Sequence, residues 1–119
     1  MRFMTMVMAA ENQGDPPQGL MEAMGPFIEE ASKNGSLVHT GGLAAMADST
    51  QVRLYGGNIS VVDGPFSEAK EVIGGYAILD LESKEAAIQV GKDFLELHRK
   101  HWPGWQGRSE IRQIFGPEE

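Results

Sequence analysis

Residues 61–81 read VVDGPFSEAKEVIGGYAILDL, and the fold follows from how this stretch is read. Its last ten residues, Val72 to Leu81, alternate as a strand. Tyr76, Ile78 and Asp80 share one face; Gly75, Ala77, Leu79 and Leu81 share the other, which is expected to pack against helices. Ahead of it, Asp63-Gly64-Pro65-Phe66 reads as a turn. Aspartate accepts hydrogen bonds from nearby backbone N–H groups, glycine permits unusual backbone angles, and proline fixes the next φ. Phe66 reads as a core plug, and Glu68, Lys70 and Glu71 as a short run of mixed charge. Gly74-Gly75 is either a bulge that bends the strand or a point of close approach for a ligand or neighbouring backbone.

Working upstream, Gln51–Tyr55 and Ile59–Asp63 are short alternating runs joined by Gly56-Gly57-Asn58, the composition of a tight hairpin turn. Leu37 to Ala45 reads as a strand, in which Gly41-Gly42 suggests a bulge or a close backbone approach, and places His39 on the face of Leu37. Leu20, Met24, Phe27, Ile28 and Ala31 recur at helical spacing. The predicted helix starts at Asp15-Pro16-Pro17 with Asp15 as cap, kinks or breaks at Gly25-Pro26, and stops at Asn34-Gly35. Phe3 to Met8 reads as a strand covered on both faces, its methionines serving as flexible core filler.

Downstream, Ser83 caps a second helix whose buried stripe is Ala87, Val90, Gly91, Phe94 and Leu97. His98 and His101, three apart, are either cations favoured at a helix C-terminus or half of a metal site lacking a third ligand. Trp102-Pro103-Gly104-Trp105 leaves as a rigid aromatic loop, over a pocket mouth, a partner subunit or the domain's own edge. Ser109 to Phe115 is a closing strand, and 116–119 a frayed tail.

Without the hairpin the order is βαββαβ, so the predicted class is α+β: a ferredoxin-like domain with an inserted β-hairpin, both helices on one face of an antiparallel sheet. Phe3, Leu37, Tyr76, Ile78 and Ile111 are expected on the other face, where a second copy would cover them. The 119 residues bound the chain to one domain, 1–119. Its net charge of −7 argues against a nucleic-acid partner, because phosphate binding rests on Lys and Arg. No apolar run approaches a membrane span, and the N-terminus reads as a strand rather than an export signal. The absence of cysteine excludes disulfides and thiolate chemistry and suits the cytoplasm. No cofactor and no metal is expected.

The element order, together with Asp63-Gly64-Pro65-Phe66, Glu68, Lys70-Glu71, Gly74-Gly75-Tyr76, the Gly-Gly-Leu at 41–43 and Glu-Ile-Arg-Gln-Ile-Phe at 110–115, resembles the DGPF branch of the YCII-related family. That resemblance implies a bacterial homodimer, a dimeric α+β barrel on ferredoxin-like protomers, mostly of unknown function. Some genes of the branch neighbour extracytoplasmic-function sigma factors. The wider family includes an enzyme acting on a chlorinated aromatic ring, and related barrels include muconolactone isomerases. The His–Asp pair proposed as catalytic in other members has no residue-by-residue counterpart here.

Two functions follow. In the first, a pocket between the dimer sheet and the hairpin binds a cyclic organic acid and performs acid–base chemistry of isomerase, lyase or dehalogenase type. Asp63, Lys70 and Asp80 are the candidate catalytic residues; His39, Glu68, Gly75, Tyr76 and His98 are the candidate ligand contacts. In the second, the protein is a non-enzymatic accessory or sensor partnered with a sigma factor.

Overall fold

The strand at the centre of that stretch, β5 (Val72–Asp80), lies between β1 (Arg2–Ala9) and β2 (Leu37–Gly42), antiparallel to both. A last strand, β6 (Gly107–Gln113), pairs with the far edge of β1, giving the order β2-β5-β1-β6. Helix α1 (Gln18–Lys33) connects β1 to β2, and α2 (Lys84–His101) connects β5 to β6. A separate hairpin, β3 (Thr50–Tyr55) and β4 (Asn58–Asp63), is inserted between β2 and β5. This is the ferredoxin-like βαββαβ arrangement with an inserted hairpin. The structure, a computed structural model, describes residues 1–116, so the tail expected at 116–119 lies, after Gly116, outside the described residues. Among them, no helix is long and apolar enough to cross a membrane.

Register decides which side chains meet the helices. Phe3 sits opposite Leu79, Thr5 opposite Ala77 and Val7 opposite Gly75. Phe3 and Leu79 are only 1% and 2% exposed, at the heart of the helix-side core. Ile111, opposite Thr5, approaches Gly91 of α2, and Leu37 pairs with Leu79. Phe3, Leu37 and Ile111 therefore belong to the helix face, which corrects the expectation that they line the open one. The open face carries Met4, Met6 and Met8 with Tyr76 and Ile78, all half-buried, so these methionines are sheet surface rather than core filler.

Two bulges adjust the sheet. On β5 the extra residue is Gly74, since Val7 pairs with Gly75 and Met8 with Ile73. On β2 it is Val38, since Leu37 pairs with Leu79 and His39 with Ile78. The second bulge turns His39 onto the open face, away from Leu37. Gly41 is not itself a bulge: a Cβ there would lie 3.2 Å from the Tyr76 ring, which rests on it.

α1 is continuous through Pro26 rather than broken in two, and does not use Asp15 as a cap. Pro26 and Glu22 are both exposed, so the carbonyl that loses its donor reaches water. Pro17 occupies the N-cap in an extended conformation, and its carbonyl accepts from Leu20 and Met21. The helix stops as expected, with Gly35 at φ 81°. Ser83 caps α2, its hydroxyl accepting from the Ala86 N–H at 3.1 Å.

The hairpin turns at Gly56-Gly57, φ 59° and 78°, as a two-residue loop of this hand requires. Its base is anchored by the Asp63–Phe66 corner. The Gly64 N–H donates to the Ser49 carbonyl at 2.8 Å, and Phe66 is buried beside Met46. A Cβ on Gly64 would lie 2.2 Å from the Met46 carbonyl oxygen, so only glycine passes here.

The face assignment has a direct test. Phe3→Ala is expected to lower stability by about 3–5 kcal/mol, the cost of emptying an aromatic site in a core. Met4→Ala, one residue along on the open face, is expected to cost less than about 1.5 kcal/mol. Urea denaturation of the two variants measures both, and a reversed order would overturn the register.

Candidate functional site

A cavity of about 710 Å³ lies between the two helices and the sheet face they cover. Small residues make up part of its floor, with Thr5 and Ala9 on β1 and Gly75 and Ala77 on β5, beside Val7, Leu37 and Leu79. Its roof is bulky, with Leu20, Met24 and Phe27 from α1 meeting Val90 and Phe94 from α2. The Phe27 and Phe94 rings, 6.3 Å apart, meet where the helices face each other. A floor too low for its roof leaves the space open.

His98 borders the cavity from the end of α2 and is 7% exposed. It continues the stripe of Ala87, Gly91 and Phe94 at steps of three and four residues, which brings it to the buried side. Its ring sits 4.6 Å from the Phe94 ring centre and 4.5 Å from that of Trp105, with Trp102 stacked at 6.3 Å. Nδ1 lies 3.1 Å from the Phe94 carbonyl oxygen. A carbonyl only accepts, so Nδ1 carries the proton and Nε2 the lone pair. Nε2 has no hydrogen-bond partner among the described residues. Desolvation pushes the His98 pKa below the ordinary 6.5, opposed in part by the bond to Phe94. It is therefore a neutral base at physiological pH, which corrects its reading as a helix-terminal cation.

The Trp102–Trp105 loop closes this end. The Trp102 N–H donates to the His98 carbonyl at 2.8 Å, Gly104 adopts φ 85°, and both indoles border the cavity. Trp105 lies so close over Gly107 that a Cβ there would be 2.4 Å from the ring. Thr5 and Ser109 add hydroxyl-bearing side chains to the floor. No group of three or more His, Asp or Glu suited to a metal gathers among the described residues.

The other candidate residues disperse. Gly75 borders the cavity, and a Cβ on it would lie 3.1 Å from the Gly41 carbonyl oxygen, a tight approach for any side chain. Tyr76 borders it too, but strand alternation sends its ring to the open face, where its hydroxyl meets Nδ1 of exposed His39 at 2.9 Å. Asp63 accepts from the Thr50 hydroxyl at 3.0 Å, and Glu68 lies 3.6 Å from Arg53, which also covers the Phe66 ring. Lys70 is exposed. Asp80, exposed, meets the N-terminal amine at 3.5 Å, at the opposite end of β5 from the hairpin. None of His39, Asp63, Glu68, Lys70 and Asp80 borders the cavity. The structure thus joins His39 with Tyr76, and His98 with the tryptophan loop, but does not gather the carboxylates into one site.

The family model of the YCII-related domain matches residues 1–94. The chain belongs to the YCII-related family. No curated protein matches it. In this YCII-related chain the matched segment contains α1 and the β1, β2 and β5 part of the cavity's floor, while His98, both tryptophans and Ser109 come after it. Of the ligand contacts expected from the sequence, Gly75, Tyr76 and His98 border the cavity; the signals missed were the small residues on alternate positions of β1 and β5, and the continuation of the α2 stripe that buries His98.

The lowered pKa of His98 makes a prediction about pH. Between its folded value and the unfolded 6.5, the unfolded chain binds more protons, so stability falls as pH drops through that window. His98→Gln, which cannot titrate, is expected to flatten this part of the decline. Melting curves of both proteins from neutral to mildly acidic pH measure it, and parallel declines would contradict the burial.

Proposed function

We propose that this YCII-related chain binds a small ring-shaped molecule between its helix layer and its sheet, with His98 as the polar group that meets it. One observation carries this reading: an apolar cavity of about 710 Å³ ends in a desolvated imidazole whose Nε2 has no partner among the described residues. Ligand sites are typically mostly apolar spaces of roughly 300–1,000 Å³ with a few placed polar groups. A neutral imidazole in such a place suits proton transfer, which supports acid–base chemistry of isomerase, lyase or dehalogenase type on a cyclic substrate. A sensor would use the same cavity without turnover. An accessory role beside a sigma factor would use the acidic surface, and no geometric feature favours it over the cavity.

The test uses chlorobenzene as a neutral ring probe. At about one hundred times its Kd, a ligand of the folded state adds about 2.7 kcal/mol to stability. Chlorobenzene is expected to raise the melting temperature and to quench the fluorescence of the chain's two tryptophans, both of which border the cavity. Ala77→Phe, which raises the floor, is expected to abolish both effects. If the unmodified protein shows neither effect, the reading is wrong.

The proposal includes a homodimer. Val52, Leu54, Ile59 and Val61 pair across one face of the hairpin and are 66–74% exposed. A lone two-stranded hairpin is marginal in water, so a constitutive cover is needed, and a second copy is the one always present. The half-buried Met4, Met6, Met8, Tyr76 and Ile78 on the open sheet face add to the surface available. Sedimentation is expected to give twice the 13.0 kDa chain mass, and the double variant Val52→Asp, Ile59→Asp a single one. A monomer at micromolar concentration would remove this part of the proposal.

A further inference from the structure

We infer that the ligand is an uncharged ring compound carrying an O–H donor, such as a phenol or an enol, which donates to Nε2 of His98; this rests on the cavity being the binding site. The tautomer sets the polarity of the contact. The Phe94 carbonyl holds the proton on Nδ1, so Nε2 can only accept. A ligand must bring the hydrogen, and one without it leaves a desolvated lone pair unpaired.

The walls set the charge. Among the described residues no Lys or Arg borders the cavity. Glu11 is the one bordering carboxylate among the described residues, and its Oε2 already accepts the Met46 N–H at 2.7 Å. A carboxylate ligand would therefore enter an apolar space with no cation to meet it and would point its own lone pairs at that of Nε2. The surroundings also set the shape. The Phe94 and Trp105 rings lie 4.6 and 4.5 Å from the His98 ring, and both border the cavity, so a ligand beside the imidazole meets aromatic surface, which favours a flat ring. The cyclic organic acid expected from the sequence is replaced here by a neutral hydroxylated ring.

Three probes of nearly one shape separate the possibilities by calorimetry: para-cresol, para-methylanisole and para-toluate. Para-cresol is expected to bind about tenfold more tightly than para-methylanisole, and para-toluate most weakly. His98→Phe is expected to bind para-cresol and para-methylanisole equally. Independently of that variant's folding, nitrogen NMR of the unmodified protein is expected to show His98 protonated at Nδ1, with the Nε2 resonance moving on addition of para-cresol and not of para-methylanisole. Equal binding of cresol and anisole, tightest binding of toluate, or a proton on Nε2 would overturn the ligand class while leaving the cavity reading intact. Binding of none of the three would overturn both.

Discussion

The pairing of Phe3 with Leu79 across β1 and β5 is the constraint on which the rest depends. A strand has two faces and period two, so fixing one pair fixes every other residue on both strands. With Phe3 inward, Thr5 and Val7 become cavity floor and the three methionines become open surface. A shift of one residue would have put methionines beneath the helices, and their bulk would fill the space that small side chains leave. The cavity is in this sense a by-product of register, set by which residue type alternates onto the helix side.

Energetics bear on what that space contains. At about 24 cal/mol per Å³, sealing 710 Å³ as an empty void would cost about 17 kcal/mol, beyond the roughly 5–15 kcal/mol that holds a domain folded. A closed dry void is therefore untenable, and the cavity must communicate with solvent or be occupied. Apolar walls make water a poor occupant, since a buried water needs several polar partners. An apolar molecule that replaces such water gains stability for the fold and affinity for itself by the same contacts, which ties function to stability at this site.

Much of the architecture was legible in the sequence because it rests on local chemistry. Gly56-Gly57 dictates a hairpin turn, Asn34-Gly35 a helix end, Ser83 a helix start, and the strand and helix order follows from periodicity. The face of Phe3 was not legible, because its alternation with Met4 is the same whichever set faces inward; only the partner strand breaks the tie. The Val38 bulge was equally hidden, and it moved His39 across the sheet. For the site, the sequence singled out His98 and Gly75, which border the cavity, but also polar residues around the Asp63 turn, where Gly64, Phe66 and Met46 make a packed corner that anchors the hairpin. What makes the cavity is a deficit of side-chain volume at Gly75, Ala77, Thr5 and Ala9, and a deficit leaves no motif.

His98 shows why burial rather than position on a helix sets the chemistry of a histidine. At a solvated C-terminus the helix dipole favours imidazolium. Here Phe94, Trp102 and Trp105 surround the ring, and desolvation outweighs the favourable bond to the Phe94 carbonyl, so the neutral form is retained. That carbonyl nonetheless has a second effect, because it selects which nitrogen keeps the proton. Burial thus supplies a base, and one backbone bond aims it. The tryptophan loop, whose path requires Gly104 at φ 85° and bare space at Gly107, keeps both conditions in place. Loosening the loop would rehydrate the ring, return its pKa toward the ordinary value, and remove its distinction from a surface histidine.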